Sequence, residues 1–296
     1  MDWAKDGRDW PNNEHSRFVA CRPHRWHVQA AGEGPVLLLL HGAGGATQSF
    51  RDLLPLLARR FTVVAPDLPG QGFTSLGTRQ RCGLAPMAED IARLCEENGW
   101  RPHHIVGHSA GGAIALQLAL HWPVKSVVCL NGALGTFEGL AGWLFPVLAK
   151  LLAMNPLVPR LFARLSSTEK RVSDLLASTG SQIDPRGVGL YRRLVADRAH
   201  VEGTLLMMAQ WRVEGLMSRL DRISAPVLFL TAENDRSVPP ATSVLAAAKV
   251  QDGEIVELPG LGHLAHEEAP ERVAEEILAF IDRIETKKPP KVSGGS

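Results

Sequence analysis

Short apolar runs without polar alternation constrain this chain most. They are Val36–Leu40 (VLLLL), Phe61–Ala65 (FTVVA), His104–His108 (HIVGH), Ser126–Leu130 (SVVCL) and the start of Pro226–Asp235 (PVLFLTAEND). A strand with one wet face alternates apolar and polar residues, so an unbroken run marks a strand covered on both faces. Between these runs apolar residues recur at helical spacing: Ser49–Arg60, Ala85–Asn98 ending at Gly99, Ala110–Trp122 stopped by Pro123, Ala241–Val250 and Glu268–Ile284. Weaker strand patterns cover Arg25–Ala31 and Gly253–Gly260. Strands alternating with helices predict an α/β fold: a mostly parallel central sheet with helices on both faces.

The alternation stops between Leu134 and Arg222. That stretch is helix-rich, apolar and punctuated by prolines, and reads as a helical insertion or lid. The expected organisation is a discontinuous core of residues 1–133 and 223–286, a helical cap at 134–222, and a disordered tail at 287–296. With 296 residues and 45% hydrophobic content, the chain can bury a large core. A net charge of +1 with no basic stripe argues against nucleic acid as a partner. Cys21, Cys82, Cys95 and Cys129 form no C-x-x-C pair and read as idle, buried thiols. The polar N-terminus lacks the apolar core of a signal peptide. The most apolar stretch, Gly139–Phe162, carries Lys150, Arg160 and three prolines, which no single spanning helix accommodates. A cytoplasmic protein without a transmembrane segment is therefore expected, with peripheral contact to a membrane left open.

Ligand sites in open parallel sheets lie beyond the carboxyl ends of the strands. The segments placed there are HGAGG, PDLPGQG, HSAGG, NGALG, AENDRSVP and LGHLAHEE. Gly107-His108-Ser109-Ala110-Gly111 matches G-x-S-x-G, a sharp strand-to-helix turn that lifts a serine hydroxyl above the sheet. Ser109 is read as a nucleophile; the competing reading is an ordinary helix cap. A nucleophilic serine needs a base, and the base an orienting acid. Asp235 and His263 follow two later strands in the order this turn requires. Their rivals are Glu233, which lies closer to its strand, and His266, which falls at the start of the last helix. Asn131 ends another strand but carries no charge. The oxyanion donors are expected at the Ala110 and Ala43 N–H groups, with Gly42, Gly44 and His108 bordering the pocket. The HGAGG loop fits no phosphate-binding pattern, and no metal-ligand spacing appears. No cofactor or metal is assigned.

HGAGG, PDLPGQG, GHSAGG, END after a strand and GHLAHEE together resemble the α/β-hydrolase superfamily over about Arg25–Ile284. The resemblance implies a cap between the sixth and seventh strands and a Ser109, Asp235, His263 triad. Within that superfamily, DGRDWPN, LLLLHGAGGATQSFRDL, LNGAL, LFPVLAKLLAMNPLVPRLF and LPGLGHLAHEE resemble the accessory family of magnesium chelatase in bacteriochlorophyll synthesis. It implies magnesium chelatase subunits as partners, a porphyrin ester or related pigment intermediate as substrate, and a place at the photosynthetic membrane.

The insertion adds independent information. Leu144, Phe145, Leu148, Leu151, Leu152 and Phe162, then Met207, Met208, Trp211 and Met217, form apolar stripes. They either pack cap helices together or line a pocket for an apolar small molecule, with Phe145, Trp211 and Met208 as pocket candidates. The expected activity is serine-dependent hydrolysis of an apolar ester. Two alternatives share the scaffold: a non-catalytic, porphyrin-binding accessory of magnesium chelatase, and a C–C hydrolase or perhydrolase.

Overall fold

The computed structural model describes residues 1–135 and 168–286. Eight strands form one sheet: β1 Ser16–Cys21, β2 His24–Ala31, β3 Val36–Leu40, β4 Thr62–Pro66, β5 Pro102–His108, β6 Ser126–Leu130, β7 Val227–Ala232 and β8 Gly253–Leu258. Their order is β1-β2-β4-β3-β5-β6-β7-β8. β1 and β2 run antiparallel to their neighbours, and every pairing from β4 to β8 is parallel.

Among the described residues the helices are α1 Trp3–Asp6, α2 Leu53–Leu57, α3 Leu84–Glu97, α4 Ala110–Ala119, α5 Glu169–Ser178, α6 Pro185–Ala196, α7 Arg198–Gln210, α8 Glu214–Met217, α9 Pro240–Ala247, α10 Ala265–Glu268 and α11 Pro270–Thr286. Two apolar layers explain why the central strands do not alternate. Leu38 and Leu40 pack with α3 and α4 on one face, while Leu37 and Leu39 pack with α2 and α11 on the other. Fully burying a leucine contributes about 1.5–3 kcal/mol, so both faces of the run stabilise the sheet. Helix α4 is buried along its whole length, as expected of a helix apolar on every side.

Three elements differ from their sequence expectations. β1 is an additional antiparallel edge strand, half-exposed and without the apolar run that marks the inner strands. The segment expected as one helix at 49–60 is a 3-10 turn at Thr47–Phe50 followed by the short α2. The last helix divides at Ala269, whose φ of −143° and ψ of 66° are not helical. Pro270 accounts for the break, because proline excludes the helical conformation from the residue before it.

Between β6 and β7 the described residues form α5 to α8. Val172, Leu176, Val188, Tyr191 and Leu194 pack onto Trp10, Ala46, Phe73 and Leu264, at the end of the sheet where Ser109 lies. The stripe from Leu144 to Phe162, including Phe145, lies outside the described residues, as does the tail at 287–296. The four cysteines are free and buried.

Candidate active site

Ser109 sits between β5 and α4 with φ 53° and ψ −116°. A non-glycine residue in this region costs about 1–3 kcal/mol and persists only where its surroundings enforce it. Here they do. A Cβ at Gly107 would strike the Gly111 carbonyl, and a Cβ at Gly111 would strike the carbonyls of Leu40 and His41. The two glycines let α4 leave β5 at once and press against β3. Ser109 N–H donates to the Leu130 carbonyl at 2.9 Å, and Ala133 N–H donates to the Ser109 carbonyl at 2.9 Å. The turn is thereby pinned to the neighbouring strand end. Its strained geometry weighs against an ordinary helix cap, and the Ser109 side chain makes no capping bond.

Asp235 lies three residues beyond β7. Its Oδ1 accepts the Ser237 and Val238 N–H groups at 2.7 and 2.9 Å, which aims Oδ2 at His263. His263 Nδ1 lies 2.7 Å from that oxygen. An ionised carboxylate only accepts, so Nδ1 carries the proton and Nε2 is the free ring nitrogen when the imidazole is neutral. The His263 carbonyl is held from below by His108 Nε2 at 2.8 Å and Asn131 Nδ2 at 2.9 Å. The structure therefore joins Asp235 to His263, and joins the His263 loop to the ends of β5 and β6. Ser109 Oγ makes no hydrogen bond to another described residue.

The HGAGG loop is a tight turn. Gly45 N–H donates to the Gly42 carbonyl at 3.1 Å, and Gly44 has φ +77°, which makes the turn type II. Gly44 N–H is already given to Gln71 Oε1 at 2.7 Å. The Ala43 N–H has no acceptor among the described residues, and neither has Ala110 N–H at the start of α4, where the helix dipole is positive. Gly42 is buried, and a Cβ there would lie 2.9 Å from the Ser109 Cβ. His108, expected at the pocket, is buried beneath it and packs at a tilt against His263 and His266 at centroid distances of 4.8 and 4.4 Å. Burial and the two neighbouring imidazoles hold its pKa well below the ordinary histidine value. Trp211 is half-buried and packs with Met217 against the main core; Met208 is half-buried on α7.

Glu267, Ser49, Arg51 and Tyr191, to which the sequence reading gave no role, complete the surroundings together with His266, the rival base. Glu267 is buried, accepts hydrogen bonds from Ser49 Oγ and Tyr191 Oη, both at 2.7 Å, and pairs with Arg51. His266 Nε2 lies 2.8 Å from the same Ser49 hydroxyl. Burial raises the Glu267 carboxyl pKa and Arg51 opposes it. This network ties α6, the segment after HGAGG and α10 together, next to the His263 loop. Removing one partner of a buried ion pair costs about 3–5 kcal/mol. Glu267→Ala is accordingly expected to lower unfolding free energy by that amount in urea titration, and an unchanged midpoint would contradict it. Ser49, Arg51 and Glu267, like Gln71, stand inside segments quoted from the sequence, but partners 216 or 218 residues apart leave no local sign of their pairing.

A parallel sheet that delivers a strained serine, a histidine–carboxylate pair and two free backbone donors to one edge defines a class before any comparison. A family model described as the alpha/beta hydrolase fold matches residues 35–270, and the chain belongs to that family. It is 43% identical over 283 residues, 94% of this chain and 99% of the relative, to the magnesium-chelatase 30 kDa subunit of Rhodobacter capsulatus. A pimeloyl-[acyl-carrier protein] methyl ester esterase of Nitrosospira multiformis is 27% identical, covering 86% of this chain and 97% of its own. Among solved structures, an epoxide hydrolase shares the fold with a TM-score of 0.77 at 21% identity, over 91% of this chain and 99% of its own. Among the described residues no group of three or more histidines, cysteines or carboxylates could hold a metal ion, and no helix is long and apolar enough to cross a membrane.

Proposed function

We propose that the chain is a serine hydrolase of apolar esters that works alongside magnesium chelatase in making magnesium porphyrins. Ser109, His263 and Asp235 are the triad, and Ala43 and Ala110 N–H groups bind the oxyanion. The observation that carries this reading is the strained Ser109 at the same sheet edge as the 2.7 Å His263–Asp235 pair. Ser109 Oγ attacks the ester carbonyl and passes its proton to His263 Nε2. The tetrahedral oxyanion takes hydrogen bonds from the two N–H groups. The C–O bond to the leaving alkoxide then breaks, and His263 returns the proton to that oxygen. Water repeats the sequence on the acyl-enzyme and releases the acid, with Asp235 stabilising the imidazolium at each pass.

The ester class draws on the 43% identical chelatase subunit and the methyl ester esterase among the relatives. A porphyrin ester would meet the half-buried Met208 and Trp211 and the apolar residues around Phe145. The insertion at 134–222 would serve as the lid over this cleft, and chelatase subunits would be its protein partners.

Labelling with a fluorophosphonate probe tests the reading. Native protein is expected to take up one equivalent at Ser109 and Ser109→Ala none; absence of labelling in the native protein would overturn it. A second reading, a porphyrin-binding accessory without catalysis, is favoured by the lack of a Ser109–His263 hydrogen bond and by the subunit relationship. Catalytic contacts often tighten only once substrate is bound. Magnesium-porphyrin formation in cells carrying Ser109→Ala separates the two: loss supports hydrolysis, persistence the accessory role.

A further inference from the structure

One face of α7 is committed to the two glycine loops beside Ser109. Residues 200, 203, 204 and 207 form an i, i+3, i+4, i+7 stripe. The Gly203 backbone meets Gly70, the Thr204 methyl approaches Gly44, and Met207 Sδ accepts from Gln71 Nε2 at 3.2 Å. His200 is the polar centre of this face and is buried. Its Nδ1 accepts the Gly72 N–H at 3.0 Å, and its Nε2 lies 3.2 Å from the Gly44 carbonyl. Both contacts are satisfied only when Nδ1 offers a lone pair and Nε2 carries the proton, so the ring is neutral and Nε2 donates to Gly44. Burial lowers its pKa to about 4, in keeping with that state.

The Gly42–Gly45 turn is thus gripped at successive peptides. His41 Nδ1 and Gly45 N–H donate to the Gly42 carbonyl, Gln71 takes the Gly44 N–H, and His200 donates to the Gly44 carbonyl. We propose that His200 is a positioning residue, which holds this turn so that the Gly44 N–H stays with Gln71 and the Ala43 N–H is left for the oxyanion. The catalytic part of this inference rests on the function proposed above. The positioning part rests on geometry alone. It gives α7 a role in the chemistry without contact to the reacting atoms.

Two variants separate the contacts. His200→Asn keeps an acceptor near the Gly72 N–H but cannot reach Gly44. His200→Gln carries an acceptor and a donor spaced much like the two ring nitrogens. Hydrogen–deuterium exchange read by mass spectrometry should show faster exchange of peptides spanning 41–46 in His200→Asn, with β5 and β6 unchanged, and recovery in His200→Gln. With p-nitrophenyl butyrate as probe, kcat should fall about 10–100-fold in His200→Asn, below the cost of deleting an oxyanion donor. KM should stay within about threefold, and His200→Gln should restore most of kcat. Wild-type exchange in His200→Asn overturns the inference. So does an equal loss in both variants with KM rising in step, since that is the behaviour of a packing residue. If native protein neither hydrolyses the ester nor takes the fluorophosphonate label, the proposed function fails. Exchange at 41–46 then decides the positioning role by itself.

Discussion

Asp235→Asn is expected to lower kcat about 10⁴-fold while leaving the fold and KM nearly unchanged. The reason lies in the two oxygens of Asp235. Oδ1 holds the Ser237 and Val238 N–H groups, and an asparagine that keeps those bonds must turn its NH₂ toward His263. Two N–H groups cannot face each other, so the imidazole moves its proton from Nδ1 to Nε2. The nitrogen that should receive the serine proton then already carries one. A wrong tautomer with intact geometry costs roughly 10⁴ in kcat in a triad of this kind. Stopped-flow or steady-state ester hydrolysis measures it. Activity within tenfold of wild type would show that Asp235 does not orient the base. Glu233, the rival acid, has its Oε2 engaged by Gly260 N–H at 2.8 Å instead.

Acid should unfold this protein well before its carboxylates titrate. Burial lowers the pKa of His104 and His200 to about 4 and of His266 to about 3, and holds His108 well below its ordinary value. In the unfolded chain these imidazoles take up protons near pH 6.5. Between about pH 6.5 and 4 the unfolded state therefore binds more protons than the folded one, and stability falls as pH falls. His104, His200 and His266 each contribute about 1.4 kcal/mol per pH unit across that window, or about 2 kcal/mol by pH 5, and His108 acts in the same direction. Together they take a large share of the roughly 5–15 kcal/mol that stabilises a typical domain. Urea midpoints at pH 7, 6 and 5 should drop progressively. A constant midpoint from pH 7 to 5 would mean that these imidazoles are not held neutral.

Local chemistry made much of the fold legible. VLLLL and SVVCL coincide with β3 and β6 because an unbroken apolar run has no stable place except between two covered faces. G-x-S-x-G was readable because the demand it answers, close approach of two backbones around a strained residue, is met within five residues. β1 was not legible: an edge strand keeps one side wet and needs no apolar run. The split at Ala269 is written in Pro270, but the helical pattern on both sides masks it.

His263, alone among the chain's histidines, was singled out by its place after a strand in a glycine-flanked loop. His200 had no such address, and Glu267, though in the same LGHLAHEE segment, had no visible partner. A histidine in a helical stretch reads as a surface residue until the helix is docked. The sequence by itself determined which strands are buried, where the sheet presents its loops, and which serine stands at the sharp turn, since these depend on neighbours a few residues apart. Only the tertiary structure decided that His263 meets Asp235 and that His200 closes on Gly44. It also decided that the Gly44 N–H is spent on Gln71. Those contacts join groups 27 to 156 residues apart, and hydrogen bonds act over about 3 Å, whatever the separation along the chain.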